Sequence, residues 1–256
     1  MKHFQLLIGF CLLIPALAAC LPVEELPTPT PTELPTPTLT LTPTIVWFPP
    51  TNTPTPFPTL EITPTPEQRT GLGDILYADD FSTDEGWPLT TSPRGNVALG
   101  LNELTLTVFE PRASVSSIRQ GVVFSNFYLE ITAKTSLCSG EDQYGVLLRA
   151  SSPSDFYRFV LSYDGQTRLD RVGGGTASSP QPWMLTSAVP SAPFSTLRLA
   201  VWAVGRDMRF FINDQFQFEI SDPRFPSGGI GVFARAAGQT AVTVNFSDLV
   251  VYEVIE

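Results

Sequence analysis

Phe156-Tyr157-Arg158-Phe159-Val160-Leu161-Ser162-Tyr163-Asp164-Gly165-Gln166 is the stretch on which the fold turns. Its first eight residues are rich in aromatic and β-branched side chains. They run into Asp-Gly, a pair that tolerates the positive φ of a primed two-residue turn, and residues 166–172 lead back out. That pattern is a β-hairpin. On its N-terminal side, residues 144–150, 127–133 and 103–109 read as strands. In 103–109, Leu104, Leu106 and Val108 face one way while Thr105 and Thr107 face the other. On the C-terminal side come 196–204, 208–212, 215–220, 229–234 and 240–251, with Asn213-Asp214 as a second tight turn. No apolar period of 3.6 residues persists for three turns. Ten or so antiparallel strands with short turns predict an all-β fold, two packed sheets in a sandwich, with a closed barrel as the alternative.

The strands belong to one domain, residues 71–256, with no second linker inside it. It carries 13 Lys and Arg against 20 Asp and Glu, a net charge of −7. Such a balance makes poor contact with nucleic acid, and that class of partner is discarded. Before the domain, residues 20–70 form a linker whose stretch 22–66 is built from repeats such as Pro27-Thr28-Pro29-Thr30 and contains no Lys or Arg. Proline removes an amide donor and fixes φ, so a disordered, polyproline-like tether is expected, at the limit about 140 Å long.

Residues 1–19 open with Met1-Lys2-His3 and continue through a short apolar run to Leu17-Ala18-Ala19-Cys20. The run is short of the roughly 20 apolar residues of a spanning helix, which fits a cleaved export signal. The arrangement resembles bacterial lipoprotein signal peptides, which implies lipidation at Cys20 and an extracytoplasmic protein anchored to the bacterial cell membrane.

Asp79-Asp80-Phe81-Ser82 with Gly86-Trp87 opens the domain, Tyr144-Gly145-Val146-Leu147-Leu148-Arg149 sits centrally, and Gly228-Gly229-Ile230-Gly231-Val232-Phe233-Ala234 and Phe246-Ser247-Asp248-Leu249 close it. Together with the hairpin, these segments resemble the concanavalin A-like jelly-roll superfamily, in its laminin-G-like and 3-keto-disaccharide hydrolase-type bacterial branch. The resemblance covers residues 79–251. It implies glycan binding, or less often glycan cleavage, on the concave sheet.

Catalytic chemistry is narrowed by what the sequence omits. The single histidine is His3 and the only lysines are Lys2 and Lys134, so a processed chain has no imidazole for a triad or zinc site and one ammonium, at a strand edge. Of three cysteines, Cys138 alone falls in the domain, where it has no histidine to activate it. Carboxylates remain, and glycoside hydrolysis needs two of them about 5–9.5 Å apart. The Glu-x-Asp-x-Glu strand of laminarinase-type hydrolases is absent. Asp79-Asp80, Asp84-Glu85 and Glu141-Asp142 are adjacent pairs whose side chains diverge on a strand. Asp79-Asp80 with Asp84-Glu85 is the best patch for calcium, but aspartates also cap turns; no metal or cofactor is assigned.

Sugar binding needs an aromatic platform and planar hydrogen-bonding groups. Tyr144, Arg149, Tyr157, Arg158 and Trp183 are the expected ligand-binding residues, with Trp183 in a loop at 178–183 and Trp202, Trp87 and Phe81 in the core. The reading is a lipid-anchored, non-catalytic module that binds a carbohydrate polymer. A glycoside hydrolase with a carboxylate pair and a protein-interaction domain at the cell surface are its alternatives. Replacing Cys20 with alanine is expected to move the chain from the membrane pellet to the soluble fraction and to abolish acyl mass on the N-terminal peptide, as read by fractionation and mass spectrometry.

Overall fold

The computed structural model describes residues 68–190, 192 and 194–255. The expected signal segment, Cys20 and the tether at 22–66 lie outside them. Fifteen strands run through the described residues. They are β1 (Leu72–Asp79), β2 (Thr90–Ser92), β3 (Gly95–Gly100), β4 (Glu103–Val108) and β5 (Ser114–Ile118). Then come β6 (Phe127–Leu137), β7 (Gln143–Ser152), β8 (Asp155–Ser162), β9 (Gln166–Gly173) and β10 (Thr176–Leu185). The last are β11 (Thr196–Val204), β12 (Asp207–Ile212), β13 (Gln215–Ser221), β14 (Gly229–Arg235) and β15 (Val242–Val254). Two antiparallel sheets result, an all-β jelly-roll sandwich. The larger has the order β13-β12-β11-β6-β15-β4-β3-β2 with β1 also on β15, and the smaller the order β10-β9-β8-β7-β14-β5.

Turn chemistry sets the register. β8 and β9 form the expected hairpin, but its loop is one residue longer than a primed two-residue turn: Ser162 stands opposite Gln166 around Tyr163-Asp164-Gly165, of which Gly165 alone has a positive φ, +90°. Asn213 and Asp214 take φ +49° and +63° between β12 and β13, the left-handed geometry of a primed turn. A bulge lets β15 serve two partners: its ladder slips between Ser247 and Val250, where Asp248 has φ +53°. Residues 242–246 therefore pair with β4, and 249–254 with β1.

Between the sheets, Phe127, Leu129 and Ile131 of β6 and Phe210 and Ile212 of β12 meet Tyr144, Val146 and Leu148 of β7 and Phe159 and Leu161 of β8. The Phe159 and Phe210 rings lie 4.9 Å apart, and Phe210 stacks on Phe218 at 4.7 Å. Phe81 and Trp87 join this core as expected. Trp202 does not. It belongs to a second cluster with Tyr128, Phe211 and Val254, lying on the far side of the nine-stranded sheet and covered by residues 68–70. The Trp202 indole donates to Thr70 O at 2.9 Å, Arg209 lies 4.3 Å over its ring, and the same arginine donates to Gln68 O at 3.1 Å.

Strands β1, β2, β3 and β5 were not expected, and 178–183 is strand where a loop was expected. Pro180 and Pro182 are tolerated because β10 is the edge of its sheet, paired with β9 alone, and its register slips twice around them.

Arg149 is the largest fully buried side chain in the domain. Its φ of +49° marks the point where the β7–β8 ladder is lost between Leu148 and Ser152, and the side chain turns into the end of the sandwich. There Nη1 donates to Gly205 O at 2.8 Å and Phe225 O at 3.2 Å, and Nη2 to Ser125 O at 2.8 Å. Burial lowers its pKa. With no exposed surface, Arg149 ties three connections to β7 and offers a ligand nothing, which corrects its expected role. Arg149→Met keeps an apolar stem but strands three carbonyls. It is expected to lower the unfolding free energy by about 3 kcal/mol, measured by urea denaturation.

Candidate functional site

Alternation along β8 sends Tyr157, Phe159 and Leu161 into the core and Phe156, Arg158 and Val160 to the outer face of the six-stranded sheet. The register then decides who meets whom. Arg158 stands between Leu147 and Asp170, Val160 between Gly145 and Arg168, and Phe233 beside Gly145. Leu147, Val160 and Phe233 form an apolar patch on this outer face, with Ile118, Phe156 and Trp183 packed against it. Gly145 gives Phe233 its seat. Its φ is +151°, and a Cβ there would fall 2.0 Å from Phe159 O and 3.2 Å from the Phe233 ring.

Two guanidiniums roof the patch. Arg158 lies 5.1 Å over Phe233 and donates to Asp170 Oδ2 at 2.7 Å from Nη2 and 3.2 Å from Nε. Arg168 lies 4.3 Å over the Trp183 indole, with Nε 3.0 Å from Asp170 Oδ1. Asp170 is 1% exposed and also accepts from Ser179 Oγ at 2.8 Å. Burial is the main cause that lowers the Arg168 pKa; the charge of Asp170 opposes it, while those of Arg158 and Arg235 reinforce it. The result is a flat face of aromatic edge, arginine fork and one fully engaged carboxylate.

Of the five residues expected to bind ligand, Arg158 and Trp183 come together here, joined through Asp170 and Arg168. Tyr144, Arg149 and Tyr157 do not reach this face. Tyr144 and Tyr157 point into the core, at 1% and 0% exposure, because they share the parity of Val146, Leu148, Phe159 and Leu161. The Tyr157 hydroxyl donates to Asp222 Oδ1 at 2.8 Å and accepts from Phe225 N at 3.3 Å; burial, with that carboxylate, pushes its pKa up to about 12. Their expected contact with ligand is therefore corrected to packing. Arg168, Asp170 and Phe233 were missed. The sequence signal for two of them was one residue out: a two-residue Asp164-Gly165 turn closes Tyr163 on Gln166 and sets Arg158 opposite Arg171, whereas the observed three-residue loop closes Ser162 on Gln166 and sets Arg158 opposite Asp170 and Val160 opposite Arg168.

Two concavities border the smaller sheet and the β1 region. One of about 380 Å³, lined by Ser116, Ile118, Ala150 and Pro153 among others, adjoins the apolar patch at Ile118. The other, about 570 Å³, is lined by Tyr77, Asp79, Asp80, Glu85, Arg119 and Asp248. Asp79 is a latch: it accepts from Tyr77 Oη at 2.5 Å, Phe81 N at 2.8 Å and Trp87 Nε1 at 2.8 Å. Asp80 accepts from Ser82 N at 3.0 Å, and hydrogen bonding from the Ser82 side chain, with that backbone bond, holds its carboxyl below the usual range. No group of three His, Cys, Asp or Glu side chains converges on a metal-sized site among the described residues.

No protein-family model matches the sequence, and no curated protein does. Solved structures do match in shape. A carbohydrate-binding module, CBM66 from Bacillus subtilis, superposes with a TM-score of 0.55 at 15% identity, over 66% of this chain and 96% of that one. A protein of unknown function with a galectin-like fold, also from Bacillus subtilis, gives 0.52 at 16% identity over 72% and 98%. The Bacillus licheniformis β-glucanase gives 0.52 at 10% identity over 71% and 98%. At such identities the likeness shows the fold alone, a jelly roll of the galectin-like and concanavalin A-like kind.

Nucleophilic chemistry has little to work with. Cys138 Sγ is half-buried beside Thr243 O at 4.0 Å, and burial, with Asp142 nearby, pushes its thiol up to about 12. The thiolate is the reactive form, so the native thiol is nearly all inert near neutrality. At pH 8, iodoacetamide is expected to label Cys138 at least about a hundredfold more slowly in the folded chain than in urea, followed by peptide mass.

Proposed function

We propose that the domain binds carbohydrate without cleaving it, through the outer face of the six-stranded sheet, and that the chain is held outside the cytoplasm by a lipid on Cys20. The observation that carries the reading is the Arg168–Trp183 stack, 4.3 Å apart, beside Arg158 and the apolar patch. An indole rim offers the C–H face of a sugar a platform, and guanidinium forks offer planar donors to its hydroxyls.

Binding is favoured over hydrolysis by the carboxylates. Hydrolysis requires an acid and a second carboxylate across the scissile bond. Asp170 stands alone among the outward positions of β7, β8, β9 and β14, and both its oxygens are taken by Arg158, Arg168 and Ser179. Structural neighbours named as a carbohydrate-binding module and as a β-glucanase share the fold, so the choice rests on these residues.

Affinity electrophoresis of the full chain in gels carrying single polysaccharides tests the reading. Retardation by at least one polymer is expected, weakened about fivefold to tenfold in Trp183→Ala and largely kept in Trp183→Phe. Unchanged mobility in every polysaccharide would sink the reading.

A further inference from the structure

We propose that the glycan is anionic, a polysaccharide whose sugars carry carboxylate or sulfate, with Arg235 receiving the oxyanion and Gln143 accepting a neighbouring hydroxyl. This rests on the carbohydrate reading above and deepens it.

The domain has a net charge of −7, yet the outward positions of β7, β8, β9 and β14 hold three arginines against one aspartate. A cationic face on an acidic domain is a local construction, since the field of the whole repels anions. Arg158 and Arg168 share Asp170. Arg235 is different: half-buried at the end of β14, its side chain has no hydrogen bond or ion pair among the described residues. It also lies within electrostatic reach of Arg168, whose pKa it helps to lower. Three neighbouring cations with a single carboxylate, engaged by two of them, are relieved by an added anion, and a guanidinium takes a carboxylate or sulfate through paired N–H groups.

A second observation points to the same place. Gln143 is the cross-strand neighbour of Arg235, about nine-tenths buried, and its Oε1 has no hydrogen-bond partner. A buried acceptor without a donor is costly, and Arg235 does not satisfy it. Ser114 and Ser162 flank the two in the same cross-strand row, so the row is polar from β5 to β8. An arriving hydroxyl donor would complete Gln143 while the acidic group of the same sugar meets Arg235. Three strand spacings, roughly 14 Å, separate β9 from β14, so a polymer lying across the sheet spans from the Trp183–Arg168 stack toward this row.

The test compares the full chain with Arg235→Gln, Arg235→Lys and Gln143→Glu in gels carrying a neutral β-glucan, a polyuronate, a sulfated dextran or polyglutamate. Thermal melts verify that each variant is folded. Expected are retention by the polyuronate or the sulfated polymer well above the neutral glucan, a loss of about tenfold or more in Arg235→Gln and Gln143→Glu, a smaller loss in Arg235→Lys, and weakening with salt. Which polymer retards more identifies the oxyanion as carboxylate or sulfate. Equal retention by the neutral glucan, unaffected in Arg235→Gln, overturns the anionic inference and leaves carbohydrate binding standing. Retention by polyglutamate as strong as by the polyuronate overturns the sugar-specific part, and no retention anywhere overturns both readings.

Discussion

A cation buried with no carboxylate beside it has to be solvated by the protein's own carbonyls, and the guanidinium of Arg149 imposes that demand on one end of the sandwich. Gly205 O belongs to the β11–β12 turn, Ser125 O precedes β6, and Phe225 O lies between β13 and β14. Three connections are thus fixed to β7 by one side chain. The left-handed φ of Arg149 is what aims it, and Gly228, packed with its α-carbon against the Arg149 backbone, leaves room for the kink. Charge, backbone strain and loop position are one solution to one problem.

The two outer faces solve another. Each sheet carries apolar residues on both sides, so each outer face needs a roof. On the larger sheet the roof is the chain itself, with Gln68 to Thr70 laid over Trp202, Tyr128 and Phe211. On the smaller sheet it is a pair of arginine guanidiniums over Phe233 and Trp183. A roof of side chains can open to a ligand at the cost of rotamers; a roof of backbone held by hydrogen bonds opens far less readily. That difference leaves the six-stranded face the more readily opened of the two.

The hairpin, the Asn213-Asp214 turn and the inward parity of most strands were legible because turn residues and period-2 alternation act locally. Arg149 was not. Continuing the alternation from Tyr144 puts it outward with Leu147, and nothing local announces the positive φ that reverses it. Tyr144 and Tyr157 were misjudged for another reason: their parity was plain, but a phenol suggests water until its partner, Asp222 for Tyr157, is brought from 65 residues away. Trp183 sits in a proline-bearing segment that reads as loop, and only the vacancy of a sheet edge explains why it pairs. Pairing Arg158 with Asp170 required Tyr163 to be counted into the β8–β9 loop, which the Asp-Gly pair does not announce, whereas Phe233 and Arg235 join the face through the pairing of β14 with β7, which no short window contains.

The roof over Trp202 has a mechanical consequence. A pull applied through the polypeptide ahead of Gln68 would load the bonds from Arg209 and the indole to the Gln68 and Thr70 carbonyls, which sit on the layer remote from Arg158 and Arg168. Strain would be spent peeling a few backbone residues off the rear of the domain before it reached the front. The face that carries Arg158 and Arg168 would keep its register while a short length of chain paid out behind it.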